Sequence, residues 1–547
     1  MSSQAAIGGR SDAAAAARKK SAAVAEARAQ EDWKPSFNPW LIAASVMLAT
    51  FMEVLDTSVA NVALPHIAGN LSASTSESTW VLTSYLVSNA IILPATGWLS
   101  SYFGRKRFLI GCIVIFTLSS ALCGAAASLG MLVVARILQG AGGGALQPIA
   151  QSVLLESFPH EKRGQAMAVY GLGIVTAPII GPTLGGWITD NYSWRWIFYI
   201  NVPVGILAIL MSNTFVEDPP YIRNQKAGRI DYIGFGLMAI GLAAMQLVLD
   251  KGQDEEWFDS NWIIAATLLA VTMIVCFVIL ELKVKEPIVN LRVFTNRNFA
   301  VGTALMAAMG AVLYGSIALL PLFLQTMLGY PATTSGMAVS PRGFGSVASM
   351  LIVGRLIGKI DSRVMIMFGF ALLGYSTYML AGINLEIAMS NVIWPSVMSG
   401  FAMGFIFIPL TTMSMGTLPN SQMGNASGIY NLMRNSGGSI GIAFVTTMLS
   451  RGAQAHQAAM VSHLTPYDPM FQQRMQQIQA AAAARGVGSA GAMQQAYAGV
   501  YGTVLKQSMV MSFIDNFRLL AFLCLLCIPG VLFFKKVRAR GGATAMH

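Results

Sequence analysis

Long apolar segments recur along this chain from Trp40 onward, and short polar loops separate them. We count about fourteen segments near the ~20 residues that a helix needs to cross the hydrocarbon core of a bilayer. Overall, 55% of the residues are hydrophobic and only 11% are charged, which excludes a soluble protein of this length. Because helices satisfy their own backbone hydrogen bonds in lipid, the pattern predicts an all-α membrane protein that crosses the bilayer many times.

The order of segments and loops predicts two six-helix bundles with two extra central helices. We assign an N-terminal tail to residues 1–39, the first bundle to 40–215, the central insertion to 216–298, the second bundle to 299–534 and a C-terminal tail to 535–547. An internal repeat supports this division, since GWLSSYFGRKR from Gly97 and GRLIGKIDSR from Gly354 both begin Gly-x-Leu and end in basic residues. Parallel halves of this kind are typical of transporters.

The distribution of Lys and Arg predicts the orientation. Most of them lie in the loops that follow even-numbered segments, which places those loops and both termini in the cytoplasm. The net charge of +11 therefore does not indicate nucleic-acid binding. The long loop over residues 451–507 then lies outside, either as a solvated loop with one short surface helix or as a docking surface for another protein.

Two carboxylates, Glu53 and Asp56, lie inside the first apolar segment. Three residues apart, they share one face of a helix, and ionisable groups at membrane depth usually mark a functional site. The alternative is that the pair binds a cation only to fix helix packing. Arg136 lies at a similar predicted depth in the fourth segment, where it either pairs with these acids or extends to the outer interface.

Other residues carry weaker signals. Gly181 and Gly185 form a small-xxx-small face that permits close helix contact, and Pro178 and Pro182 permit a bend there. The Cys524-x-x-Cys527 pair lies in apolar sequence without hydrophilic neighbours, so we expect no metal site. Motifs of zinc proteases, nucleotide hydrolases and serine esterases do not occur, which argues against an enzyme.

Several motifs together resemble one family. LDTSVANVALP from Leu55, GWLSSYFGRKR, RILQGAGGG from Arg136 and GPTLGG from Gly181 are similar to motifs D1, A, B and C of the major facilitator superfamily. SWRWIFYINVPVGI from Ser193 is similar to the fourteen-helix drug:proton antiporter-2 family, the EmrB/QacA type. One position departs from the pattern, because Ser101 stands where motif A usually has Asp.

The resemblance implies a proton-coupled antiporter that exports amphipathic compounds across the bacterial inner membrane, driven by the proton gradient and without a cofactor. It implies that Asp56 carries the proton, that Glu53 tunes it, and that Arg136 takes part in coupling. In double-membrane bacteria it also implies a periplasmic adaptor and an outer-membrane channel as partners. The expected substrate cavity contains Glu53, Asp56, Asn61, Gln139, Arg342 and Arg434. The expected outer gate contains Gly173, Pro178, Gly181, Pro182, Gly185 and Gly186, and the cytoplasmic loop motif contains Gly97, Gly104, Arg105 and Arg107.

Two alternatives stay open. The chain could export a single physiological solute, such as a siderophore or a metabolite. It could instead be a membrane receptor or enzyme that transports nothing.

Overall fold

The computed structural model describes residues 35–159, 162–219, 231–284 and 286–535. The two predicted tails fall almost wholly outside these ranges, as does most of the loop after the sixth segment. Within the described ranges the regular elements are helices, and no strand of a sheet forms. This agrees with the all-α prediction.

Six helices form the first half. They are α1 Pro39–Asn70, α2 Trp80–Phe103, α3 Arg105–Gly124, α4 Leu129–Ser157, α5 Arg163–Asn191 and α6 Trp196–Phe215, with a short helix Thr75–Ser78 before α2. Helix α4 is interrupted between Gly143 and Leu146, and α6 between Tyr199 and Asn201. Each of the six lies where an apolar segment predicts it.

The rest of the chain supplies the extra helices and the second half. The extra helices are α7 Tyr232–Lys251 and α8 Asn261–Lys283. The second half contains α9 Arg297–Thr326, α10 in two pieces (Ala332–Val339 and Pro341–Leu356), α11 Ser362–Leu380, α12 Ser390–Met415, α13 Met423–His463, α14 Pro469–Ala483 and α15 Ser489–Val531. Three short 3-10 turns connect elements, at Trp257–Asp259, Leu291–Thr295 and Asn420–Gln422.

Local capping chemistry explains where several helices begin. The Asn38 side chain accepts a hydrogen bond from the Trp40 amide before α1, Asn296 caps α9, and Asp361 caps α11. Asp468 caps α14 and is followed by Pro469, whose fixed backbone angle suits the first helical position. These residue types satisfy amide groups that a helix start leaves unpaired.

Twelve helices in the described ranges are long and apolar enough to cross a membrane. The two remaining predicted positions are occupied by α10, which is broken near Ser340, and by α13, which is rich in Gly, Ser and Asn. Neither piece of α10 is long enough to cross a membrane, and the polar residues of α13 make it less apolar than the other twelve helices. The count of fourteen crossings therefore stays a prediction, as does the orientation of the termini.

Residues 451–507 are more helical than the predicted solvated loop with one short surface helix. Helix α13 continues to His463, α14 covers the Gln- and Ala-rich stretch, and α15 begins at Ser489. The helix propensity of Gln and Ala predicts α14, whereas the extension of α13 and α15 into this region was not predicted. Helix α14 packs against α15, where a Cβ added at Gly499 would lie 3.3 Å from Ile478 Cδ1. The result is a helical projection beyond the bundle.

Helix α7 bridges the two halves, and α8 lies outside it. Gln246 on α7 exchanges hydrogen bonds with Ser439 on α13, and Lys251 donates to Thr79 just before α2. Helix α8 is the most apolar and the least buried of the candidate spans. A helix that is apolar on all sides and exposed in the protein is suited to face lipid.

The two halves approach each other closely at the end of the bundle that carries Gly104. A Cβ added at Gly97 on α2 would lie 2.5 Å from the Asn425 amide nitrogen on α13. Near the same end, a Cβ at Gly164 on α5 would lie 2.1 Å from Ile357, just after α10. The halves are thus closed together at the end that the sequence predicts to be cytoplasmic.

Candidate functional site

Asp56 lies on α1 in a hydrogen-bonded network that is closed to solvent. Its Oδ2 accepts a hydrogen bond from Arg136 Nη1 at 2.6 Å, and its Oδ1 accepts from Gln139 Nε2 at 2.9 Å and from Asn201 Nδ2 at 2.7 Å. Both charged side chains are almost fully buried. A buried charge is costly unless further hydrogen bonds satisfy it, and Gln139 on α4 and Asn201 on α6 supply them to the Asp56 carboxylate, whereas Arg136 Nη2 is buried without a hydrogen-bond partner among the described residues.

The surroundings of Arg136 hold its guanidinium in place. Its Nε donates to the carbonyl of Val81 at 3.0 Å, and Nη1 also donates to Gln139 Oε1 at 2.7 Å. The guanidinium carbon lies 4.3 Å from the ring centre of Tyr85 and 5.7 Å from that of Phe198. The aromatic faces attract the cation and exclude water. Arg136 therefore faces the acid on α1 and does not extend to the interface.

Glu53 lies one turn away on α1 but in a separate network. Its Oε1 accepts from the Tyr85 hydroxyl at 3.1 Å and from Asn89 Nδ2 at 3.4 Å, and its Oε2 accepts from Gln147 Nε2 at 2.7 Å. The two acids share a helix face, as predicted from their spacing, yet different side chains bind them. Asp56 is paired with a cation inside the first half, whereas Glu53 is bound by neutral groups.

Gln147 connects Glu53 to the second half of the molecule. Its Oε1 accepts a hydrogen bond from Arg434 Nη2 on α13, while its Nε2 donates to Glu53. Nearby, Gln151 Oε1 accepts from Ser427 Oγ and Asn431 Nδ2 on α13, each at 2.7 Å. Glu53 is thus linked through one amide side chain to the opposite half.

Small residues in the motif that follows Arg136 make room for these side chains. A Cβ added at Gly143 would lie 2.6 Å from the Tyr85 hydroxyl and 3.3 Å from Glu53 Cγ, and one at Gly140 would lie 2.4 Å from the Tyr85 carbonyl. Only glycine lets α4 approach α1 and α2 this closely. The glycine run therefore has a packing role at the site.

The predicted cavity residues separate into three groups. Gln139 joins the Asp56 network and Arg434 reaches Glu53 through Gln147. Asn61 is exposed on α1, and none of its described contacts connects it to either acid. Arg342 lies in the second half against Ser316.

Four side chains of the site were not among the residues singled out from the sequence: Tyr85, Asn89, Gln147 and Asn201. Each is a polar group inside an apolar segment, and that signal alone could have selected them.

The predicted outer-gate motif on α5 packs against α1 through three of its glycines. A Cβ added at Gly181 would lie 2.3 Å from Ser58 Oγ, and one at Gly185 would lie 2.9 Å from Val59 Cγ1. Gly173 faces Met47, whereas nothing lies within 4 Å of a Cβ added at Gly186. The remaining members, Pro178 and Pro182, are exposed on α5, which stays continuous through both.

The loop motif lies where α2 meets α3. Gly104 adopts φ +83°, which suits glycine, and Arg105 forms a buried ion pair with Glu156 of α4, while Arg107 is exposed. At the start of α3, Asp218 accepts a hydrogen bond from the Lys106 amide at 2.8 Å.

Ser101, which stands where the resembling family usually has Asp, donates a hydrogen bond to the Gly97 carbonyl of its own helix at 2.9 Å. A carboxylate is nevertheless present at this corner, because Asp218 approaches it from the loop after α6.

The profile of the Major Facilitator Superfamily matches residues 46–442. The multidrug export protein EmrB of Haemophilus influenzae is 40% identical, with 79% of this chain and 84% of that protein covered. EmrB of Escherichia coli K12 is 36% identical, with 92% and 96% covered. The fatty acid resistance protein FarB of Neisseria gonorrhoeae is 39% identical, with 78% and 84% covered.

Among solved structures, the human organic anion transporter MFSD10 superposes with a TM-score of 0.58 at 12% identity, covering 89% of this chain and 100% of that one. At this identity the likeness concerns the fold alone, and the fold agrees with the two-bundle arrangement described above. On the profile match and the identity to full-length relatives, this chain belongs to the Major Facilitator Superfamily.

Proposed function

We propose that this protein exports amphipathic compounds from the cytoplasm in exchange for protons by alternating access. The observation that carries the proposal is Asp56, a carboxylate at membrane depth bound to Arg136 in a buried network. Intramembrane acids of this kind serve as proton relays in pumps and transporters. The relatives support the direction of transport and the class of substrate, since they are named for multidrug export and for fatty acid resistance.

In the proposed cycle, protonation of Asp56 removes its charge and weakens its attraction to Arg136. Gln139 and Asn201 bind the same carboxylate, so they must rearrange as well. A local change of charge of this kind can bias an element that has two packing arrangements. Helix α1 also carries Glu53, whose contact with Gln147 reaches Arg434 in the other half. Proton binding on α1 is thereby coupled to the contacts between the halves.

The structure fits the conformation of that cycle in which the predicted cytoplasmic end is closed. The halves contact each other at the end that carries Gly97 and Gly104, which the sequence predicts to be cytoplasmic. Such a state would release substrate to the outside. Opening this end would then return the site to the cytoplasm.

We further propose that α14 and the adjoining ends of α13 and α15 contact a periplasmic adaptor, if the host has two membranes. Tyr467 and Met470 are strongly exposed on this projection. Deleting residues 470–485 should weaken co-purification with the adaptor while the bundle stays folded. Unchanged co-purification would remove this projection from the contact.

Substrate-induced proton release from the purified protein tests the main proposal. A pH-sensitive dye in weakly buffered detergent solution should report release when substrate is added to the wild-type protein. Asp56→Asn should remain folded and show no release, because it has no proton to exchange. Asp190→Asn is the matched control, since Asp190 is an exposed acid at the opposite end of α5 from Arg163. Release by Asp56→Asn at the wild-type level would remove Asp56 from the mechanism.

A substrate panel in cells that lack other exporters separates broad export from a dedicated exporter. Broad export predicts resistance to several unrelated amphipathic compounds. Protection against only one compound would favour the dedicated exporter.

A further inference from the structure

Arg342 is a buried cation that lies against a single neutral group. The residue is 7% exposed, and the hydrogen bond of its guanidinium within the described part of the chain is a long one of 3.5 Å from Nη2 to Ser316 Oγ on α9. Its Nε and Nη1 atoms are buried without a hydrogen-bond partner in the described part of the chain. No described carboxylate forms an ion pair with it. A buried guanidinium without an anion is costly, and at membrane depth it points to a ligand.

The internal repeat identifies the counterpart of Arg342 in the first half. Tyr85 and Arg342 each lie twelve residues before the glycine that begins the repeated Gly-x-Leu motif. The helix packing agrees with this register. A Cβ added at Gly140 on α4 would lie 2.4 Å from the Tyr85 carbonyl, and a Cβ added at Gly400 on α12 would lie 1.7 Å from the Arg342 carbonyl. The two residues occupy equivalent three-helix junctions.

The two junctions differ in where their anion comes from. In the first half, Tyr85 donates to the carboxylate of Glu53, which the chain itself supplies from α1. In the second half the residue at this position is a cation, and the equivalent helix α9 offers it only the hydroxyl of Ser316. The second junction therefore has a donor set for a carboxylate, in a planar fork that can bind both oxygens, but no carboxylate of its own.

We propose that Arg342 binds the carboxylate head group of an anionic amphipathic substrate. This assigns a class of substrate to the proposed export function. It depends on that function, because the bound carboxylate is a substrate only if the protein exports it. The helix that carries Arg342 lies at the boundary of the halves, since a Cβ at Gly171 on α5 would lie 2.8 Å from Met350 and a Cβ at Gly354 would lie 3.1 Å from Ala168. Separation of the halves would expose this helix, which gives a ligand a route to the junction.

Binding of two matched probes to the purified protein tests the site. Decanoate and decyltrimethylammonium share an apolar tail and differ in the sign of the head group. In calorimetric titrations in a neutral detergent, we expect Arg342→Gln to bind decanoate at least about tenfold more weakly than wild type. A change of this size corresponds to the loss of one charge-assisted hydrogen bond. Its affinity for decyltrimethylammonium should be unchanged. Arg342→Lys should retain part of the decanoate affinity, because the charge survives without the planar fork.

Arg355→Gln is the matched control, because Arg355 lies on the same helix but is exposed. It should bind both probes as wild type does. Equal decanoate affinity in wild type and Arg342→Gln would overturn the proposal. An equal loss for both probes would also overturn it, since this would show a structural role. Displacement of decanoate by stoichiometric phosphatidylglycerol would assign the junction to a lipid head group instead and overturn the assignment to substrate.

The export function can fail separately. If decanoate binding depends on Arg342 but the protein transports neither probe in proteoliposomes, the binding site is supported and the export function is contradicted. If the protein exports decyltrimethylammonium but does not bind decanoate, the export function is supported and the binding site is contradicted.

Discussion

Arg136 holds Asp56 by a charged contact that no other described residue supplies. Gln139 and Asn201 also bind the carboxylate, but both are neutral. Removing the arginine would therefore leave a buried negative charge with amide donors alone. The consequences for stability and for coupling can be measured separately.

We predict that Arg136→Ala lowers the free energy of unfolding by about 3–5 kcal/mol, the usual cost of breaking a buried ion pair by removing one partner. Arg136→Lys should lose less, because it keeps a point charge. The measurement is the thermal unfolding midpoint of the purified protein in detergent. The double variant Asp56→Asn with Arg136→Gln should regain much of the stability and still release no protons. Arg355→Ala, on an exposed arginine, is the control, and equal midpoints for it and Arg136→Ala would contradict the prediction.

Gln147 is the residue through which the site meets the second half. Gln147→Leu would remove both the donor to Glu53 and the acceptor for Arg434. We expect this variant and Glu53→Gln to alter the pH profile of export or the range of substrates more than the maximal rate. Because both break the same connection, their effects in the double variant should not add. Initial export rates in proteoliposomes across a pH series provide the measurement, and additive effects would argue against a shared connection.

At the scale of single elements, α5 is fixed against α1 by its glycines. Gly181 and Gly185 face Ser58 and Val59 at distances too short for any added side chain, whereas the position of Gly186 is open. The sequence motif does not distinguish these glycines, because they differ only in the side of α5 on which they lie. The structure therefore separates positions that pack from a position that does not.

Gly181→Leu and Gly185→Leu should abolish export, because the added side chain must displace α1 from α5. Gly186→Leu should be tolerated and serves as the control on the same helix turn. Export rates should be compared at matched expression, with monodispersity on size-exclusion chromatography as the test of folding. Normal export by both Gly181→Leu and Gly185→Leu would show that the close contact is not needed.

For the whole molecule, the contact between α5 and α10 tests whether closure of one end is part of the cycle. A Cβ at Gly354 would lie 3.1 Å from Ala168 Cβ, slightly shorter than the 3.5–4.5 Å usual between the Cβ atoms of a disulfide. In a cysteine-free background, Ala168→Cys with Gly354→Cys should therefore form a disulfide after small adjustments.

Oxidation of that double variant should stop transport, and reduction should restore it. Each single cysteine variant is the control and should be insensitive to oxidation. Full transport by protein whose disulfide has formed would show that the halves do not separate at this end during the cycle.

The sequence by itself determined the class of fold and singled out the main charged residues. Segment lengths follow from bilayer thickness, helix starts follow from Asn and Asp caps, and Glu53, Asp56 and Arg136 stand out because charge is rare at membrane depth. These signals are local, so they can be read along the chain. At residues 451–507 helix propensity indicated the short helix α14, but the continuation of α13 to His463 and the start of α15 at Ser489 were not predicted.

Only the tertiary structure decided which polar side chains meet. Glu53 and Asp56 look like one pair in sequence, but the helices that surround them place Tyr85 and Gln147 on one acid and Arg136 on the other. Likewise, Arg342 is one arginine among many until the packing against Gly400 shows which junction it occupies. Such contacts join residues far apart in the chain, and they depend on how each helix is rotated against its neighbours, which the pattern of apolar residues within a single helix does not specify.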